Sequence, residues 1–196
     1  MNPKTFKTII GSKPILLSAP HVYAHRRPRL SMAYKIGEPL TDIIVEEVCK
    51  KTKSFGVVLT DESDMDYNYH KEKSNPYKKE IREIVEKENI KYFIDIHGLK
   101  DGNNYDIAIY YPSKFFNSIE LSKKVKEGLP KRVLRGSNIP IFRLPEGTQE
   151  SLALFSASEL RVPSIQIEVA RYIREKKELR DAFIQNLSEV LENLVI

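Results

Sequence analysis

The chain is nearly devoid of cysteine: Cys49 is the only one in 196 residues. An internal disulfide is therefore excluded, and a reducing cytoplasm is the expected compartment. Cys49 itself falls on an apolar helical stripe and reads as a small core residue. Long apolar runs are missing as well. Nowhere do about 18 consecutive apolar residues occur, so no membrane span is expected. The opening Met1-Asn-Pro-Lys-Thr-Phe-Lys7 lacks the apolar stretch of a signal peptide. Internal repeats and low-complexity tracts are absent. Nor is there a concentrated basic stripe. The net charge of +5 is spread along the chain, whereas a dedicated nucleic-acid binder concentrates it on one face. The densest basic patch, His25-Arg26-Arg27-Pro28-Arg29, reads as a solvated loop or as an anion-capturing loop beside an active site.

What the chain does contain is enough to bury a core. Hydrophobic residues make up 41% and charged residues 30%, with Lys and Glu interleaved along helical stretches. This is the composition of a folded domain with solvated helix faces, and residues 1–196 read as a single one. Ile9 to Lys13 looks like the turn of an opening hairpin, leading into a strand from Ile15 to Ser18. Residues 19–37 form a long loop, of the kind that is functional when it sits inside a compact domain. A helix is expected from Glu38-Pro39 to about Ser54, with Pro39 in the first turn where its missing N–H costs nothing. Phe55 to Thr60 is a strand and Asp61 to Ser74 a polar loop without evident core. Asn75 caps a helix whose first residue is Pro76. Strands follow at Tyr92 to Gly98 and Tyr105 to Tyr111, expected to be neighbours. A short helix is expected from Phe116 to Glu127, an extended segment from Pro140 to Pro145, and a turn at Glu146 to Thr148. A helix from Gln149 to Leu160, a strand from Ile165 and a closing helix from Glu175 to Leu194 complete the pass. Strands alternating with helices predict a largely parallel sheet covered on both faces, and the joins near residues 10 and 104 add antiparallel pairing. The expected fold is a three-layer α/β/α sandwich with a mixed, mostly parallel central sheet.

Two of the four histidines stand where an apolar run gives out. Pro14-Ile-Leu-Leu-Ser-Ala-Pro-His21 is one such run and Tyr92-Phe-Ile-Asp-Ile-His97-Gly98 the other. A third, Ile165-Gln-Ile-Glu168-Val-Ala-Arg171, carries a carboxylate at the matching place. In an open α/β sheet ligands bind beyond the carboxyl ends of the strands, where two imidazoles can hold a metal. A catalytic zinc needs a third protein ligand and an open position. Glu38 is the first candidate and Asp42, one turn on, the alternative. Asp95, two residues before His97, is placed to back that ring. Glu168, buried by pattern, needs a partner or a function, and suits a proton carrier. Arg171 and Arg174 can pair with Glu168 or Glu175. In the loop Asp64-Met-Asp66-Tyr-Asn68-Tyr-His70, Asn68 and Tyr69 are candidates to orient a substrate, while His70 reads as a surface residue. Arg26 and Arg27 are placed to attract anionic substrates.

The order of these motifs resembles the N-formylglutamate amidohydrolase family. The resemblance rests on Ala19-Pro20-His21, an acidic residue at Glu38, Asp66-Tyr-Asn68, Asp95-Ile-His97-Gly98 and Ile165-Gln-Ile-Glu168-Val-Ala-Arg171, and spans about residues 14 to 174. It implies a zinc hydrolase built on the general fold of zinc carboxypeptidases. His21, Glu38 and His97 would bind Zn2+, Glu168 would be the general base, and Asn68 and Arg171 would fall in the substrate pocket. The chain departs from the family pattern at Val22-Tyr23, where a serine-glycine pair is usual, and at Tyr69, where an arginine is usual. The expected function is amide or peptide hydrolysis by metal-activated water, on a small acylated or acidic amino-acid substrate or a short peptide. A non-catalytic binding module of the same fold, or a nucleic-acid-binding domain using Arg26 to Arg29, are the other classes.

Overall fold

A computed structural model describes residues 5–27, 34–112, 115–145 and 151–194. Seven strands form one sheet in the order β1-β3-β2-β4-β7-β5-β6. They are β1 (Phe6–Ile9), β2 (Lys13–Ala19), β3 (Ser54–Leu59), β4 (Tyr92–Leu99), β5 (Ile107–Tyr111), β6 (Ile141–Arg143) and β7 (Ser164–Ala170). The four inner strands β3, β2, β4 and β7 run parallel. Their near-continuous burial explains why they read as apolar runs rather than alternating patterns: every residue of β3 is buried, as expected for a parallel sheet covered on both faces. β1 joins antiparallel to β3, and β5 antiparallel to β7 with β6 parallel to it. The mixed α/β sandwich inferred from sequence is the fold observed.

Helices α1 (Thr41–Thr52) and α3 (Phe116–Gly128) pack on α6 (Lys177–Glu192), and side chains of α2 (Pro76–Lys87) reach α4 (Leu152–Ser158). The ring of Phe155 on α4 receives Lys78 and Arg82 of α2. A short α5 (Arg171–Glu175) follows β7 directly. The cap of α2 is as the sequence predicts: Asn75 accepts from the N–H groups of Tyr77 and Lys78 at 3.1 and 3.2 Å, with Pro76 in the first turn. Ser151 caps α4.

Several expectations are corrected. The segment Ile9 to Lys13 is not a hairpin. The chain passes across the start of β3, so β1 pairs with β3 (Ile9 opposite Gly56) and β2 lies on the far side of β3. Gly11 permits that crossing, because a Cβ there would lie 2.4 Å from the Lys53 carbonyl oxygen. β5 is not beside β4. β7 takes that edge through a seven-residue register from Phe93 opposite Ser164 to Leu99 opposite Ala170, and β5 pairs with β7 instead. The first helix begins at Thr41, not at Glu38-Pro39, since Leu40 is left-handed (φ 70°), and it ends at Thr52 with Lys53 left-handed (φ 59°). The loop from Asp61 to Ser74 has a core after all: Tyr67 is buried against Tyr77, with ring centroids 5.0 Å apart. The closing helix starts at Lys177, two residues later than expected, behind a break at Lys176 where ψ is 112°. Arg180 bonds the Arg174 carbonyl across that break at 2.6 Å. The turn at residues 146–148, the first residues of the helix expected from Gln149, and Pro28-Arg29 of the basic patch lie outside the described residues.

Candidate metal centre and active site

Because β2, β4 and β7 are parallel neighbours, their carboxyl ends share one edge of the sheet. His21 lies two residues beyond β2, His97 and Glu168 are register partners near the ends of β4 and β7, and all three gather at that edge. Glu38 is delivered from the loop before α1. Its backbone N–H donates to the His21 carbonyl at 2.7 Å, and its own carbonyl accepts from the Thr41 hydroxyl at 2.7 Å. Its Oε1 lies 3.6 Å from His21 Nδ1. Its Oε2 lies 3.1 Å from His97 Nδ1 and accepts from the Gly98 N–H at 2.9 Å. All three side chains are buried. Gly98 is required here: a Cβ would stand 2.9 Å from Arg174 Nη2 and 3.0 Å from the Glu38 Cβ. Arg174 is itself buried and donates to the carbonyls of Val169 and Pro39, tying α5 to the loop that carries Glu38.

Each histidine is backed by a carboxylate. His21 Nε2 lies 2.9 Å from Asp66 Oδ1, and His97 Nε2 lies 2.8 Å from Asp95 Oδ2. Asp66 and Asp95 are fully buried. Asp66 also accepts from the N–H groups of Asn68 and Tyr69 and from Arg27 Nε, the last at 2.7 Å, and Asp95 accepts from the Ser18 hydroxyl. Carboxylates accept only, so Asp66 and Asp95 hold a proton on Nε2 of each ring, and both Nδ1 atoms face Glu38. Burial alone would raise the Glu38 carboxyl, but the field of His97 and the two neighbouring imidazoles outweigh it and hold Glu38 well below the usual carboxylate range. Burial would lower His97, but Asp95 and Glu38 outweigh it and push the imidazole well above its ordinary value.

His21 Nδ1 is buried and has no hydrogen-bond partner. An unpartnered buried imidazole nitrogen facing a carboxylate is costly unless something cationic completes it. Two imidazole nitrogens and one carboxylate are also the donor set of a three-ligand zinc site, with the far nitrogens anchored as metal-bound histidines require. The residues present therefore fit the metal. Among the described residues, a second set, His21, His25 and Asp66, is equally close, but its rings are stacked 4.0 Å apart at 8°. Their in-plane lone pairs run side by side and do not meet. The rings of His21 and His97 stand at 71°. Burial, with the neighbouring His21, pushes His25 down to about 4, so it packs on His21 as a neutral ring.

Glu168 stands beside this set and outside it. Gln166 Nε2 donates to its Oε1 at 3.1 Å. Burial raises its carboxyl, and the charge of Glu38 adds to the rise against the lowering effect of His97.

The other expected site residues are distributed unevenly. Asn68 reaches the site, with Nδ2 3.3 Å from His97 Nε2, while its Oδ1 accepts from the Leu152 N–H. Tyr69 is half-buried on the same loop. Arg27 is spent on Asp66. Arg26 is exposed, lies over the Tyr34 ring and is 3.8 Å from Asp64. Arg171 pairs with Asp101 and Glu175 at 3.3 and 3.2 Å. Neither Arg26 nor Arg171 makes a contact with the histidines or Glu168. For Arg171 the reason is that β7 stops at Ala170 and the chain coils at once, which brings Arg174 instead to the Glu38 loop. Asp42 is in the first turn of α1, outside the cluster. His70 is half-buried, not a surface residue, and bonds the Asp66 carbonyl at 2.8 Å. The sequence offered Asp66 only as part of the Asp66-Tyr-Asn68 motif and His25 only as part of the basic patch, each without a role of its own, and did not single out Lys35. Asp66 sits in a polar loop whose burial nothing local announces.

No protein-family model matches the chain, and no curated protein matches it in sequence. Solved structures do match in fold. A gene product of Agrobacterium tumefaciens superposes with a TM-score of 0.64 at 11% identity, over 96% of this chain and 93% of that one. A metallo-carboxypeptidase from Burkholderia cenocepacia gives 0.60 at 10% identity, over 95% of this chain and 59% of the other. The succinylglutamate desuccinylase of Chromobacterium violaceum gives 0.60 at 11% identity, over 93% and 64%. This chain thus spans less than two thirds of the latter two proteins. The fold is that of zinc-carboxypeptidase-like proteins. No described helix is long and apolar enough to cross a membrane.

Proposed function

We propose that residues 1–196 form one hydrolase domain. It would be a zinc-dependent amidohydrolase of the N-formylglutamate amidohydrolase type, cleaving an amide or peptide bond in a small acylated or acidic amino-acid substrate. The observation that carries this reading is the convergence of His21 Nδ1, His97 Nδ1 and the Glu38 carboxylate, each imidazole backed by a buried carboxylate. Two neighbours in fold, a metallo-carboxypeptidase and a succinylglutamate desuccinylase, are in keeping with cleavage of a bond to an acyl group.

In this reading His21, Glu38 and His97 hold the zinc. A zinc ion there supplies Lewis acidity, polarising a carbonyl and lowering the pKa of water. The remaining work falls to the protein. Asp66 and Asp95 fix the imidazoles in one tautomer and one orientation. Glu168, with its raised carboxyl, takes a proton from the attacking water and hands it to the leaving nitrogen. Asn68 and Tyr69 would orient the substrate from the Asp66 loop, and Arg27 holds that loop in place through Asp66. Arg26 and Arg171 would serve only as outlying charges that attract an anionic substrate.

Elemental analysis of protein purified without added metal tests the reading. About one zinc per chain is expected, and His97→Ala should lose it. A screen of N-acyl amino acids and short peptides then identifies the substrate. Metal-free protein that fails to take up zinc, or a His97→Ala variant with full zinc, contradicts the ligand set.

A further inference from the structure

Amide hydrolysis places negative charge on the carbonyl oxygen as the bond to water forms, and a preorganised cation beside that oxygen is a large source of rate. Four arginines near the site are otherwise engaged. Arg26 lies over Tyr34, Arg27 is on Asp66, Arg171 is on Asp101 and Glu175, and Arg174 is buried on two backbone carbonyls. Lys35 differs from all of them. Its ammonium has one loose contact, 3.5 Å from Glu38 Oε1, the same oxygen that faces the unpartnered His21 Nδ1, and its side chain is 37% exposed.

The backbone of Lys35 is held firmly with respect to the ligands. It exchanges two hydrogen bonds with His25, at 2.8 and 3.1 Å. Gly37 then lies flat against the Val22–Tyr23 backbone, where a Cβ would come within 2.5 Å of the Val22 carbonyl oxygen. Glu38 closes the ply by donating its N–H to His21. The arm of Lys35 therefore starts from a fixed point next to the proposed metal ligands and ends in a partly exposed ammonium beside Glu38. Its charge is also among those felt at Glu168, across the site. None of the four arginines combines a fixed base, an exposed positive tip and this position.

We propose that Lys35 is a catalytic residue whose ammonium stabilises the negative charge developing on the substrate's carbonyl oxygen. This rests on the hydrolase reading above. No bond to Lys35 forms or breaks. It keeps its three protons and contributes a charge-assisted hydrogen bond to the oxygen that becomes anionic.

Lys35→Met and Lys35→Arg test it by two measurements. The first is kcat and KM on whichever N-acyl amino acid the wild type cleaves fastest. The second needs no substrate: titration of the cobalt-loaded protein with acetate, followed in the visible spectrum, reads the affinity of the site for an anionic oxygen. Lys35→Met should keep its metal, lose about 10²-fold in kcat with KM little changed, and bind acetate about tenfold more weakly, the scale of one charge-assisted hydrogen bond. Lys35→Arg should recover part of both losses. Unchanged kcat and acetate affinity, a loss confined to KM, or loss of the metal itself would each overturn the proposal. A wild type that holds no metal or cleaves no amide overturns the hydrolase reading and this inference with it. An active wild type with indifferent Lys35 variants overturns this inference alone.

Discussion

Glu168 shows how one residue's environment sets its role. On a neighbouring strand to His97 and in register with it, it is close enough to feel the charges at the site yet belongs to neither set of potential ligands. Burial and the charge of Glu38 favour its protonated form, His97 opposes them, and the balance raises it, the direction needed for a group that must both accept and return a proton near neutrality. Glu168→Gln keeps shape and hydrogen-bonding capacity but removes the base. Its zinc content should match the wild type while kcat falls by about 10²-fold or more. Zinc analysis and steady-state kinetics on the same preparation check this, and a Gln variant that lost its zinc would make Glu168 a ligand. At this scale the sequence was informative where chemistry coincides with the end of an apolar run, as at His21, His97 and Glu168. Glu38 could be picked out as an acidic residue ahead of a helix, although the helix starts three residues later, and the side chain is aimed by Gly98 and His97 instead of a helix dipole. Arg171 and Arg174 are separated by a single turn of helix. Which of them faces the site depends on where β7 stops, and no local pattern marks that point.

The loop between β3 and α2 does more than its polar composition suggests. It carries Asp66, whose carboxylate collects His21, Arg27 and two backbone N–H groups, and it is seated by Tyr67 against Tyr77 and by Asn75 Nδ2 on the Tyr67 carbonyl at 2.7 Å. Asn75 thus caps α2 and anchors the loop at once, whereas the sequence revealed only the cap. Asp66→Ala removes the Oδ1 that accepts from His21 Nε2 and from the Asn68 and Tyr69 N–H groups, so the His21 tautomer is no longer fixed. We expect zinc affinity to fall about 10- to 100-fold, the usual effect of removing such a partner, as measured by competition with a chromophoric chelator. Asp95→Ala should do the same through His97. Equal affinity in both variants and the wild type would mean that neither carboxylate backs a metal ligand.

Across the whole molecule, parallel pairing of β2, β4 and β7 is what makes the site possible, since it brings three strand ends to one edge. The layered α/β class was legible from the alternation of strands and helices. The strand order was not, because β7 enters between β4 and β5 from far along the chain, and such long-range insertion leaves no mark in local periodicity. The same insertion places Glu168 next to His97. The central claim is that one zinc ion is held between the two Nδ1 atoms and Glu38. Crystals of the zinc-loaded protein, measured on both sides of the zinc absorption edge, locate the ion directly. A single anomalous peak should lie about 2.0–2.2 Å from His21 Nδ1, His97 Nδ1 and a Glu38 oxygen. A peak among His21 Nε2, His25 and Asp66, or zinc-loaded crystals with no peak at this edge of the sheet, would contradict it.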